Sequence, residues 1–158
     1  MEPTKKLAEE SLTEQYHLLM PPDLNGAGRL FGGRLLMWID ETAGIVGRRH
    51  AGKEVVTAAI DNLRFKAGAF GNDILYMCGK IVYTGRTSME VRVDTYVEAP
   101  DGMRRPINRA YVTMVSIDDN QRPTPVPQLL VETEAQKAEW QAALRRKELY
   151  KTRQIEGF

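Results

Sequence analysis

Asn25-Gly26-Ala27-Gly28-Arg29-Leu30-Phe31-Gly32-Gly33-Arg34-Leu35-Leu36-Met37-Trp38-Ile39-Asp40 is the stretch from which the rest of the chain can be read. Its opening Asn and two glycines are turn chemistry. A Gly pair then stands where a long apolar run begins, and one acid, Asp40, falls inside that run. Glycine at a helix start lets a ligand approach bare backbone N–H groups closely. A carboxylate is costly to bury unless it is paired or put to use. The segment therefore predicts an oxyanion-binding turn at Gly32-Gly33, followed by a helix carrying a working carboxylate. The bland alternative for the Gly pair is a tight turn with close helix–sheet packing. For Asp40 it is a helix acid that accepts a hydrogen bond near Thr42 or another neighbour. Glu41 is the rival acid, expected on a wetter face.

The run from Gly33 to about Gly47 is apolar on most sides, which implies a helix buried on most sides. Arg48-Arg49-His50-Ala51-Gly52-Lys53 ends it, basic as a helix C-terminus prefers and expected to be solvated. Upstream, residues 1–11 suggest a polar tail, and Thr13 to Met20 a short strand stopped by Pro21-Pro22. His17 falls on that strand, expected at a sheet edge. Downstream come four strand-like segments. Val55 to Phe65 changes parity near Asp61-Asn62, predicting a bulge there. Ile74 to Tyr83 is apolar on both parities, as in a strand buried on both faces. Met89 to Val97 alternates, with Glu90, Arg92 and Asp94 opposite Met89, Val91 and Val93. Arg109 to Ile117 is the fourth. Short intervals favour antiparallel hairpins. Residues 119–158 comprise a Pro-containing linker and a helix over Glu132 to about Tyr150, whose Arg145-Arg146-Lys147 run is expected to face solvent.

One apolar helix and a curved antiparallel sheet give an α+β fold with the sheet wrapped around the helix. Uncovered sheet edges and excess apolar helix surface call for self-association. The 158 residues suit one domain, and a net charge of +1 offers no global field for nucleic acid or acidic membranes. Cys78 is the only cysteine, expected as a small core residue, so no intrachain disulfide or thiolate metal cluster forms. No signal-peptide core or membrane span is evident, and a soluble, cytoplasmic protein is expected.

Pro22, Asn25, Gly28, Phe31-Gly32-Gly33, Leu35, Trp38 and Asp40 together resemble the signature of the hot-dog-fold acyl-CoA thioesterases. The similar branch holds the bacterial broad-specificity and brain-type cytosolic acyl-CoA hydrolases. A second block agrees: Phe65, Gly71, Asp73, Gly79 and Thr84-Gly85-Arg86-Thr87-Ser88-Met89. The resemblance runs from about residue 12 to 118, which marks the hot-dog domain. It implies hydrolysis of acyl-CoA to free acid and CoA, without metal or cofactor. It also implies dimers with shared active sites, often in trimers of dimers. The family's functional Asn and Asp fall on Asn25 and Asp40.

Such chemistry needs an activated water, a stabilised oxyanion and a hold on CoA. Asp40 suits general base or nucleophile. Asn25 and the Gly32-Gly33 N–H groups suit the carbonyl, although Asn25 is also an ordinary Asn-Gly turn residue. Thr57 and Asp61 are expected on the strand beside the helix, lining the substrate site. Arg64, Arg86, Thr87 and Ser88 are candidates for CoA, with Lys66 as a further cation. Met37, Trp38, Tyr76, Met77 and Met89 are candidates to shape an acyl tunnel. Gly33 and Asp40 lie about 10 Å apart along one helix, so one thioester reached by both needs two subunits. A non-catalytic acyl-CoA sensor on the same fold is the competing reading. A dehydratase is disfavoured because His17 and His50 lie outside the helix motif.

Overall fold

The computed structural model describes residues 4–158, and the apolar run forms one helix, α1 (Gly32–Ala51). Leu35, Ile39, Ala43 and Val46 make a fully buried stripe at helical spacing. The helix runs one turn past the expected end; Arg48 and Arg49 are exposed as expected, but His50 turns inward. His50 is fully buried, with Nε2 2.7 Å from the Pro127 carbonyl oxygen. Arg49 Nη1 donates to the Leu12 carbonyl at 2.7 Å and to Thr13 Oγ1 at 3.0 Å. Gly52 closes the helix at φ 66°, its N–H bonded to the Arg48 carbonyl, a left-handed cap that glycine adopts freely.

Five antiparallel strands cover α1: β2 (Thr13–Leu18), β3 (Val55–Asp61), β4 (Ile74–Thr84), β5 (Ser88–Glu98) and β6 (Arg104–Ser116). Their order is β2-β4-β5-β6-β3. Leu75, Met77, Val91, Val93, Val112 and Met114 meet the helix stripe and are almost completely buried. Gly79 is where helix and sheet come closest. A Cβ there would lie 2.8 Å from Thr42 Cγ2 and 3.0 Å from Val46 Cγ2. A single sheet covers only one side of α1, so the expectation of burial on most sides fails in this chain. Met37 and Ile45 are 41% and 38% exposed, on a stripe with Glu41.

Of the segment expected as a polar tail, residues 1–3 lie outside the described residues. Lys5–Lys6 form β1, which pairs in parallel with β7 (Gln128–Leu129). The parity change in β3 is real but falls earlier than expected. The register slips between Thr57 and Ala59, which loops out Ala58, and the strand ends at Asp61. Asn62 is left-handed at φ 66°, which Asn tolerates, so residues 62–65 leave the sheet instead of continuing it.

The second helix, α2 (Glu134–Glu156), lies across the sheet face opposite α1. It begins with a capping box: Gln136 N–H donates to Thr133 Oγ1, and Thr133 N–H to Gln136 Oε1. The polar face of β5 is therefore covered rather than solvated. Arg146 Nη2 meets Glu90 Oε1 at 2.5 Å and stacks 3.6 Å over Tyr111. Arg92 pairs with Glu139 and Asp94, and Arg109 Nε pairs with Asp94 at 2.6 Å. The Arg145-Arg146-Lys147 run accordingly does not all face solvent. Cys78 and Tyr76 also lie on this outer face of β4, half a pleat from the core.

Candidate active site

Asn25 sits in the turn before α1. Its backbone N–H bonds the Arg29 carbonyl at 2.7 Å, and Gly28 is left-handed at φ 74°. Its side-chain oxygen accepts from Ala27 N–H at 2.9 Å and Arg29 N–H at 3.2 Å. The side chain is thereby oriented, and its amide N–H₂ has no partner among the described residues. Both the turn role and an available donor are present in one residue.

The helix that follows lacks a conventional cap. Phe31 holds the N-cap position and no side chain caps the helix. The first N–H groups of a helix have no intrahelical acceptor, and those of Gly32 and Gly33 have none elsewhere among the described residues. Packing does not explain glycine at Gly32, where an added Cβ would meet only Phe65, at 3.9 Å. At Gly33 it would come within 2.6 Å of the exposed Phe31 ring. Beside this turn lies a cavity of about 460 Å³, walled by Asn25, Arg29, Gly32, Phe65 and residues 66–69. Lys66 in that wall is exposed, as is Arg64 two residues before it.

Asp40 lies on the flank of α1, partly buried, where Thr57 Oγ1 donates to its Oδ1 at 2.5 Å. The bond goes to Thr57 on the neighbouring strand. Thr42 instead donates to the Trp38 carbonyl and to Gln15 Oε1. Glu41 is exposed, as expected. Asp61 does not lie beside Asp40 within the chain. Looping out Ala58 turns Asp61 to the α2 side of the sheet, where it meets Arg153 at 3.4 Å.

Arg86, Thr87 and Ser88 form the β4–β5 hairpin, closed by Gly85 N–H on the Ser88 carbonyl at 2.9 Å. The hairpin abuts the end of β6, at the C-terminal end of α1. Twenty helical residues span about 30 Å, so within one chain this hairpin is far from Asn25 and the Gly pair. A further cavity, about 740 Å³ and polar, is also at that far end, between Arg48, Lys53, Glu54 and Asp118. Of the tunnel candidates, Met77 and Met89 are buried in the core and Trp38 stacks on His17 at 4.0 Å. Tyr76 points away from α1, under the Arg104 guanidinium at 3.6 Å. His17 is on an edge strand, and burial holds its pKa below the ordinary value. Among the described residues no group of three or more His, Cys, Asp or Glu is disposed to hold a metal ion. Among the described residues no helix is long and apolar enough to cross a membrane.

Residues 27–102 match the model of the thioesterase superfamily. The chain is 33% identical over 133 residues to the Bacillus subtilis uncharacterized acyl-CoA thioester hydrolase YkhA, covering 84% of this chain and 77% of that protein. The chain belongs to the acyl-CoA thioester hydrolase family. A second family member, rat cytosolic acyl coenzyme A thioester hydrolase, is 32% identical over 87% of this chain, which spans 37% of that longer protein. The family fold is the hot-dog fold, and solved members superimpose closely. An apo-hexameric acyl-CoA thioesterase matches with a TM-score of 0.88 and 39% identity over 95% of this chain and 97% of that one. The Staphylococcus aureus acyl-CoA hydrolase, solved with butyryl coenzyme A and coenzyme A, gives 0.88 and 33% over 96% and 93%. That hydrolase has also been solved with single Asp, Asn and Thr residues each replaced by Ala.

Proposed function

We propose that this protein hydrolyses acyl-CoA thioesters to free acid and CoA at sites shared between subunits. The carrying observation is the separation of parts along α1. An uncapped Gly32-Gly33 turn with the Asn25 amide stands at its start, and a Thr57-held Asp40 about 10 Å further on. In the proposed site one subunit supplies Asn25 and the Gly N–H groups, which take the negative charge developing on the thioester oxygen. The other supplies Asp40, which removes a proton from the attacking water or attacks the carbonyl itself. As a general base Asp40 returns that proton to the departing sulfur, so CoA leaves as the thiol; as a nucleophile it expels CoA, and water then hydrolyses the Asp40 acyl anhydride to the free acid. No metal or cofactor has a step in this scheme, because CoA arrives within the substrate. The three alanine variants of the staphylococcal hydrolase have the same sequence separations as Asn25, Asp40 and Thr57, which supports these assignments.

Two unpartnered surfaces support the assembly. Strand β3 is an edge whose Val56, Thr57, Ala58 and Ala59 are exposed, and an apolar edge strand invites pairing with a second copy. The Met37–Ile45 stripe of α1 stands beside it. A dimer through these surfaces, grouped as a trimer of dimers, brings the Arg86-Thr87-Ser88 hairpin of one chain toward the turn of another. The hairpin, with Arg64, would then hold CoA phosphates. A cytoplasmic location belongs to the same proposal. The test is CoA release across acetyl- to palmitoyl-CoA, with Asp40→Asn beside the unaltered protein. Turnover abolished in the variant, with CoA binding retained, is expected. Binding without turnover in the unaltered protein overturns the enzyme in favour of an acyl-CoA sensor. Verified heterodimers of Asn25→Ala and Asp40→Ala chains should recover activity. No recovery would rule out the shared site.

A further inference from the structure

On the outer face of β4, opposite the proposed catalytic flank, Lys80 sits among charges that are otherwise matched. Its cross-strand neighbour is Arg92, which pairs with Glu139 of α2 and Asp94 of β5. Arg109 of β6 takes the other Asp94 oxygen. Three cations therefore share two carboxylates, and among the described residues Lys80 has no ion-pair partner. It lines a cavity of about 290 Å³ between β4, the chain around residues 8–12 and the first turn of α2. Ala8, Leu12, Val82, Leu129 and Ala135 make much of that wall apolar, with Glu9 and Glu139 as its acids. Ligand pockets are typically about 300–1,000 Å³, so this one suits a short acyl chain rather than a whole nucleotide.

We propose that Lys80 is an acyl-acceptor lysine, whose Nζ takes the acyl group from an acyl-CoA thioester and seats the chain in this cavity. The proposal rests on the function above only for the presence of the donor. The Nζ lone pair forms the C–N bond, the C–S bond breaks, and CoA leaves as thiolate. That thiolate, or solvent, takes the proton lost from nitrogen. The products are an N-acyl-lysine and free CoA, with no oxidant or reductant involved. An ammonium has no lone pair to offer, so the site must favour the neutral amine. Here burial and the adjacent Arg92 both hold the Lys80 pKa below the usual lysine range, against an opposing pull from Asp94 and Cys78; Arg109 adds to the lowering. Acylation also removes a positive charge from beside Arg92 and buries apolar surface that the bare cavity leaves open.

The test uses the full-length protein with Asp40→Asn, so that the donor survives, incubated with butyryl-CoA between pH 7 and 9. Peptide mass spectrometry then follows all eight lysines. Lys80 is expected to acylate several-fold faster than the exposed Lys137 and Lys151, with its rate levelling off at lower pH. Lys80→Arg should lose the fast site and leave the others unchanged. The advantage should vanish in urea-unfolded chain. Equal rates for Lys80 and the exposed lysines overturn the proposal, as does an advantage that persists after unfolding. CoA release by the unaltered protein is scored separately, so a failed hydrolase and a failed acceptor give different results.

Discussion

Thr57→Val tests the proposed catalytic acid without touching it. Valine keeps the shape and β-branching of threonine, so the strand propensity and the packing beside Met114 change little. What is lost is one hydroxyl donor, 2.5 Å from Asp40 Oδ1. A hydrogen bond to a charged group contributes about 1.5–3 kcal/mol. Asp40 is only partly buried, so water can replace some of that donor, which places the cost near the lower bound. A loss of about 1.5 kcal/mol in transition-state stabilisation is roughly tenfold in rate. The loss should appear in kcat for butyryl-CoA hydrolysis, with KM nearly unchanged, because the bond orients a reacting group and does not hold CoA. Thr57→Ser retains the donor and should stay within about threefold of the unaltered protein. A valine variant within twofold of the unaltered rate would refute the positioning role. So would a serine variant as damaged as valine, which would point to packing instead.

Four further outcomes are expected. Glu90→Gln strands the Arg146 guanidinium beneath α2, and breaking a buried pair costs about 3 kcal/mol or more. At about 2–4 °C per kcal/mol for a chain of this size, the melting temperature should fall by roughly 6–12 °C at matched protein concentration; a fall under about 2 °C would contradict the buried pair. Burial holds His50 below its ordinary pKa despite its bond to Pro127, so the folded protein protonates this ring less readily than the unfolded chain, which binds a proton near pH 6.5. Stability from this group is full above about pH 7 and declines as pH falls below about 6.5. The urea midpoint should drop less between pH 7.5 and 5.5 in His50→Gln, and equal drops would count against it. Finally, Gly79→Ala forces a methyl to within 2.8 Å of Thr42 and should cost about 1–3 kcal/mol. Gly32→Ala meets nothing nearer than 3.9 Å, so it should melt normally yet lose turnover as its methyl intrudes on the thioester. Melting and CoA release measured together separate the two glycines.

Much of the candidate site could be read in the chain because its signals are local. A Gly pair without a capping side chain, an Asn turn before it and one acid within an apolar helix all lie within a single short segment. Helix and strand periods of 3.6 and 2.0 residues belong to individual segments, so α1, α2 and the four long strands were legible, with ends displaced by a few residues. Where Asp61 points was not legible. One looped-out residue, Ala58, reverses every side chain after it, and that choice reflects how β3 fits β6 and α1 together. The charges of β5 were equally opaque. Their alternation with Val91 and Val93 is what a solvated face would show, and only the docking of α2 turns Glu90, Arg92 and Asp94 into a buried network. The same docking isolates Lys80. Sequence alone determined the elements and the chemistry on each, since both depend on near neighbours. Tertiary structure decided which face is covered and which ends meet, because those depend on packing between segments distant in the chain.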